Sequence, residues 1–307
     1  MHQRFVAGIL TLLAGSFALS GCASRTSNKP SRSQSGSSSS TALSGTEVPS
    51  IAAMVPAKLR AGGALIVATD ASYAPNEFFA ANNTTIEGMD IDLGRAVAAV
   101  LGVKFNFVNA SFDTILPALG TRFDISMSSL NDTKAREAEV NMVTYFQAGA
   151  GFMVKKGTDQ DLTSLAALCG KNVAVEKGTT QLDDATAQSA KCKSEGKSAI
   201  DVQAYPDQNG ATLALNSGRA DVVLADTPVL AYAVRQSGGA FELIGNPYNT
   251  LPYGIPVPKG SVYAGLDQAL LAALKHLASD GTYLAILNKW GEQGGAIGRF
   301  QINGASS

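Results

Sequence analysis

From residue 64 onward, short apolar runs alternate with stretches whose apolar residues recur at helical spacing. Ala64-Leu65-Ile66-Val67-Ala68-Thr69 is an apolar run that ends at Asp70, the pattern of a buried strand entering a loop. Asp92 to Leu101 places Leu93, Val97, Val100 and Leu101 on one helical face, with Gly102 as its stop. Val103 to Val108 reads as a second strand, Asp113 to Leu119 as a helix and Asp124 to Met127 as a strand. Strands and helices that alternate in this way predict an α/β fold with a mostly parallel sheet.

The pattern restarts after Gly151. Strand Phe152 to Lys155, a short helix near Leu162, strand Val173 to Glu176, helix Thr180 to Ala190 and strand Asp201 to Ala204 follow one another. Helix Gln208 to Asn216, strand Asp221 to Ala225 and a helix from Pro228 complete this second run, which reads as a second lobe inserted into the first. The strand-like Tyr253 to Val257 and the helices Val262 to Ala278 and Thr282 to Trp290 then return to the first lobe. The expected division is lobe 1 over residues 56–148 and 249–307 and lobe 2 over residues 149–248, with crossings near Ala148 and Asn249. Two crossings make a hinge, and the cleft beside a hinge suits a small ligand.

The first residues have a different pattern. Arg4 precedes an apolar stretch from Phe5 to Leu19 that ends in Ser20, Gly21 and Cys22. Such a stretch is too short for a permanent membrane span and reads as a secretion signal over residues 1–21. Leu19-Ser20-Gly21-Cys22 resembles the lipobox of bacterial lipoproteins. The resemblance implies a lipid on Cys22 that holds the protein at the extracellular face of the cell membrane. Residues 22–55, serine-rich up to about Thr46, are expected to form a flexible linker, because so few apolar residues cannot offset the entropy of folding.

Composition removes several function classes. A formal net charge of −1, with lysines and arginines scattered evenly, leaves no basic stripe for nucleic acid. With Cys22 assigned to lipid, the remaining two of the three cysteines, Cys169 and Cys192, are expected to pair in an oxidising compartment. After the signal, the only histidine is His276, in a helical stretch. Gly-x-Ser-x-Gly, His-Glu-x-x-His and Gly-x4-Gly-Lys patterns are missing, so no cofactor, metal site or catalytic residue is expected.

A series of short motifs carries a more specific resemblance. Thr69-Asp70-Ala71-Ser72-Tyr73-Ala74-Pro75, Glu87-Gly88-Met89-Asp90-Ile91-Asp92-Leu93 and Phe112-Asp113-Thr114-Ile115-Leu116-Pro117-Ala118-Leu119 are followed by Ser128-Ser129 with Arg136. Lys177-Gly178-Thr179-Thr180, Gly218-Arg219-Ala220-Asp221 with Ala225-Asp226, Pro252-Tyr253-Gly254-Ile255 and Asp280-Gly281-Thr282-Tyr283 near Trp290 complete the series. In this order and spacing they resemble the family 3 extracellular solute-binding proteins, the polar amino acid receptors of ABC importers. The resemblance implies a monomeric, two-lobed periplasmic-binding-protein fold of type II that passes an amino acid to a transporter permease.

It also implies residue roles. Arg136 would take the ligand carboxylate, a task that suits a planar guanidinium. Thr180, at a helix start, would help it, and Asp226 would take the ammonium. Tyr73 and Phe112 would sandwich the aliphatic part, and Ser128 and Ser129 would contact the zwitterion. By their own surroundings, Arg136 reads more readily as a solvated helix charge, and Asp226 reads equally as a helix start before Pro228.

The chain departs from the family pattern at Asn76, Asn131 and Asp132, whose added polarity suggests a polar ligand side chain. Asp70 beside Glu77 leaves a cationic ligand open. A sensory receptor and a dehydratase-type enzyme on the same fold are the alternatives.

Overall fold

A computed structural model of the chain describes residues 45–158 and 160–306. The signal segment and Cys22 lie outside the described residues. The folded body begins with two short helices, α1 (Pro49–Ala52) and α2 (Ala57–Gly62). They lead into β1 (Ala64–Thr69), whose residues 65, 67 and 68 are buried. A small antiparallel sheet of β2 (Ser72–Tyr73), β3 (Glu77–Phe79) and β4 (Ile86–Glu87) comes next. It turns into α3 (Met89–Val100) at Gly88, whose φ of 139° favours glycine, and a Cβ there would lie 2.1 Å from the Asn76 carbonyl oxygen.

The buried face of α3, made by Leu93, Ala96, Val97 and Val100, lies in the core of lobe 1. Strand β5 (Lys104–Asn109), helix α4 (Phe112–Ala118) and strand β6 (Ile125–Ser126) follow, and β5-β1-β6 form a parallel sheet. Helix α5 (Lys134–Glu139) then enters β7 (Val140–Lys155).

Lobe 2 is a five-stranded mixed sheet in the order β11-β7-β10-β8-β9. It contains β8 (Asn172–Glu176), helix α6 (Thr180–Ser194), β9 (Asp201–Tyr205), helix α7 (Gln208–Ser217), β10 (Val222–Asp226), helix α8 (Thr227–Gln236) and β11 (Phe241–Pro258). Helices α9 (Leu266–Ser279) and α10 (Thr282–Trp290) pack back on α3 in lobe 1. The architecture is the two-lobed type II fold with two chain crossings.

Both crossings are single long strands. Val143, Tyr145 and Phe146 of β7 belong to the core of lobe 1, whereas Phe152, Met153 and Val154 belong to the cores of lobe 2. Strand β11 runs antiparallel to it, and its register shifts between Ile244 and Tyr248, between Tyr248 and Leu251 and between Tyr253 and Gly254, around the crossing. The sequence pattern predicts only the distal part of β7, because Gly149 and Gly151 read as a break. Both glycines instead sit inside the strand under close neighbours: a Cβ would lie 2.9 Å from Pro247 Cβ at Gly149 and 3.0 Å from Thr227 Cγ2 at Gly151.

Two further differences concern the ends of elements. The linker expected over residues 22–55 gives way to packed chain by Gly45, where a Cβ would meet the Ala96 carbonyl oxygen at 2.7 Å. Val48 and Ile51 lie on the lobe 1 core, and the Val48 N–H bonds the Val100 carbonyl at 3.1 Å. The short helix expected near Leu162 is a 3₁₀ turn at Leu165–Leu168. Directly after it, Cys169 is joined by a disulfide to Cys192 of α6, with Cα atoms 5.7 Å apart, as the cysteine count predicts.

Candidate functional site

Three strands end in buried acids. Asp70 follows the last residue of β1, Glu176 closes β8 and Asp226 closes β10. The carboxyl ends of strands in an open α/β sheet are where a crevice forms and ligands collect.

At one end of the cleft stands Arg136. The Thr133 hydroxyl caps α5 and accepts the Arg136 N–H at 3.3 Å. The guanidinium donates to the Asn131 carbonyl at 2.8 Å and, across the cleft, to the Gly178 carbonyl at 3.1 Å, while it rests 5.6 Å from the centre of the Phe112 ring. Burial lowers its pKa, opposed by the charges of Asp183, Asp226 and Asp132. Beside it the Thr180 hydroxyl donates to Asn131 Oδ1 at 2.9 Å, and Lys177 pairs with Asp113 at 2.6 Å. Arg136, Asn131, Phe112 and Thr180 therefore form one cluster that joins the lobes.

Asp226 occupies the cap position of α8 but makes no capping bond, and its carboxylate is buried. It accepts hydrogen bonds from Gln181 Nε2 and the Tyr253 hydroxyl, both at 2.8 Å, and its backbone N–H donates to the Tyr73 hydroxyl at 3.0 Å. Burial pushes the carboxyl up to about 6 despite these donors and the charge of Arg136. Tyr73 belongs to the first lobe by sequence, yet its ring packs in the lobe 2 cluster with Val229 and Leu230.

The other end is acidic. Asp70 accepts the Phe112 N–H at 2.9 Å and its own N–H donates to Ser128 Oγ at 2.8 Å. Burial drives the Glu176 carboxyl well above the ordinary carboxylate range, and its Oε1 is buried without a hydrogen-bond partner. The charges that act on Glu176 are Asp70, Asp207 and Asp226, all acidic.

Glu77, beneath them, is fully buried and raised first by burial and then by Asp90 and Asp70. The Ser128 and Ser129 hydroxyls donate to Glu77 at 3.4 and 3.2 Å. Ser129 holds φ 51°, a region sparsely used by non-glycine residues, and its N–H is fixed by Asp90 at 2.9 Å.

The structure thus brings Asp70, Tyr73, Phe112, Asn131, Arg136, Thr180 and Asp226 to one cleft. Ser128 and Ser129 stand at its floor with their hydroxyls engaged inward. Asp132, expected to add polarity near the ligand, is buried with its Oδ2 on the Gly304 N–H at 2.8 Å. Sequence reasoning missed Glu176, Gln181 and Tyr253. Glu176 carried a signal, an acid that ends the apolar run Val173-Ala174-Val175, whereas Gln181 carried none.

Comparison with known proteins agrees with this fold. The model of the bacterial extracellular solute-binding proteins, family 3, matches residues 65–293. The arginine-binding protein ArgT of Corynebacterium glutamicum is 32% identical over 304 residues, which cover 98% of this chain and 96% of that one. The ABC transporter glutamine-binding protein GlnH of Bacillus subtilis is 32% identical over 211 residues, 67% of this chain and 72% of its own. A solved structure of an ancestral arginine-binding protein bound to arginine is 35% identical with a TM-score of 0.68, and the match covers 74% of this chain and 98% of that one.

Proposed function

The chain belongs to the bacterial extracellular solute-binding proteins of family 3, and from that membership we propose that its cleft takes a cationic amino acid of the arginine type. The protein is an amino acid receptor that serves an ABC importer outside the cytoplasm, and it is a binding protein, not an enzyme.

The observation that carries the choice of ligand is the gathering of buried acids at one end of the cleft, where Asp70, Asp207 and Asp226 all act on Glu176 and Asp207 acts on Asp70. A buried carboxyl cluster is costly unless a cation neutralises it. A guanidinium or ammonium placed between Asp70 and Glu176 supplies that charge. Arg136 at the opposite end receives the ligand carboxylate, and Asp226 between them receives the α-ammonium. Phe112 and Tyr73 line the path between the charged groups, Asn131 and Thr180 close over the carboxylate, and Ser128 and Ser129 hold the floor.

The lobes that close on the ligand are residues 56–148 with 249–307, and residues 149–248. The division is supported by core membership, which changes along β7 between Ala148 and Phe152 and along β11 between Tyr248 and Tyr253. A lipid on Cys22 tethers the receptor to the membrane, supported by the lipobox pattern. A Cys22→Ser variant is expected in the soluble fraction of cells, and full retention on the membrane would refute the anchor.

The ligand is tested by a thermal-shift screen of all amino acids, since a ligand of the native state raises apparent stability by about 2.7 kcal/mol at a hundredfold excess over Kd. L-Arginine and L-lysine are expected to shift the midpoint most. A larger shift with L-glutamine or L-glutamate would overturn the cationic assignment.

A further inference from the structure

Helix α5, which carries Arg136, has six residues and none of them is buried. So short a helix is marginal by itself, and without an apolar anchor its position depends on polar contacts from outside. Two sets of contacts supply them. Lys259 Nζ donates to the carbonyls of Glu137 and Ala138 at 2.7 and 3.0 Å, at the end of the helix.

The second set comes from residues 301–305. This segment pairs with the edge of β7: the Thr144 N–H bonds the Gln301 carbonyl at 2.9 Å, the Asn303 N–H bonds the Met142 carbonyl at 2.8 Å, and the Met142 N–H returns to Asn303 Oδ1 at 2.9 Å. The chain turns at Asn303, with φ 56°, and the next two N–H groups point at carboxylates flanking Arg136. Gly304 donates to Asp132 Oδ2 and Ala305 to Glu137 Oε1, each at 2.8 Å. Asp132 is itself fixed from a third side, because its N–H donates to the Pro252 carbonyl at 2.7 Å.

We propose that residues 301–305 form a strap that positions Arg136 for the ligand carboxylate, with Asp132 and Glu137 as its two positioning residues. The inference rests on the reading of Arg136 as the carboxylate receptor. Burial pushes the Asp132 carboxyl up to about 7, and Lys134 with the Ala305 N–H holds Glu137 low. An asparagine at 132 keeps an acceptor for the Gly304 N–H.

The test is calorimetric titration of the full chain with L-arginine in a double-mutant cycle. Asp132→Ala and Glu137→Ala are each expected to weaken binding about tenfold in the parent, and Asp132→Asn to stay within about threefold of it. In an Arg136→Ala background the same alanine changes are expected to cost less than about twofold, because the residue they position is gone. Equal losses in both backgrounds, or parental affinity in both alanine variants, would overturn the strap. Parental affinity in Arg136→Ala alone would instead overturn the underlying reading of the site. Glu137 is half-buried, so its variants decide the matter where Asp132→Ala fails to fold.

Discussion

Tyr253, on β11, donates its hydroxyl hydrogen to Asp226 Oδ2 at 2.8 Å and so joins the lobe 1 core to the acid that closes β10 in lobe 2. The bond helps hold Asp226 ionised against the burial that raises its pKa. A hydrogen bond to a charged group contributes about 1.5 to 3 kcal/mol, and 1.4 kcal/mol is tenfold in affinity. Tyr253→Phe is therefore expected to weaken amino acid binding about tenfold or more while the ring stays packed against Phe146. Calorimetry with L-arginine measures it, and an unchanged Kd would remove Tyr253 from the site.

The raised Asp226 gives opposite pH trends for stability and for binding. A carboxyl whose folded pKa is about 6, against an ordinary 3.8, stabilises the native state below the ordinary value, and that contribution is lost as pH rises through 6. The ligand-free protein is thus expected to melt several degrees lower at pH 8 than at pH 5. Binding needs the ionised acid to meet an ammonium, so affinity for L-arginine is expected to fall as pH drops through about 6. Parallel melting curves with and without L-arginine would show the gap between them widening from pH 5 to pH 8, and a constant gap would refute the assignment.

The acidic end should set specificity. Glu176→Gln removes one of the two carboxyls that would enclose a cationic side chain and leaves a hydrogen-bonding amide at the same position. Loss of a charge partner in a buried site costs about 2 to 5 kcal/mol, so affinity for L-arginine is expected to fall about thirtyfold or more. L-Glutamine should lose little or gain. Equal losses for both ligands would place Glu176 outside the side-chain site.

Much of this was legible in the sequence where one element decides the pattern. The run Ala64 to Thr69 and the face of Leu93, Val97 and Val100 appear where the apolar period puts them. The hairpin strands of residues 72–87 are two or three residues long, too short for any period to register. Gly149 and Gly151 read as breaks because their close neighbours, Pro247 and Thr227, lie far away in sequence. The same limit applies to the site. Arg136 and Asp226 stand out through motif order, whereas the gathering of Asp70, Glu176, Asp207 and Asp226 into one acidic region depends on how the two lobes meet.

The disulfide of lobe 2 is expected to carry stability and not binding. Cys192 is fully buried in α6 among Leu168, Val173, Ala185 and Ile200, and the bond ties that helix to Cys169 after the 3₁₀ turn. The 23-residue separation predicts about 3 kcal/mol of stabilisation in the chain-entropy account. Replacing Cys169 by Ser and Cys192 by Ala avoids a buried hydroxyl at 192, and the pair is expected to lower the unfolding free energy by about that amount in denaturant titrations. Thr180 and Gln181 stand at the opposite end of α6 from Cys192, so affinity for L-arginine should stay within about threefold of the parent. Chemical reduction of the unaltered chain should reproduce the loss of stability. If reduction leaves the denaturation midpoint where it was, the bond contributes nothing to the fold and the paired substitutions measure only a change of packing.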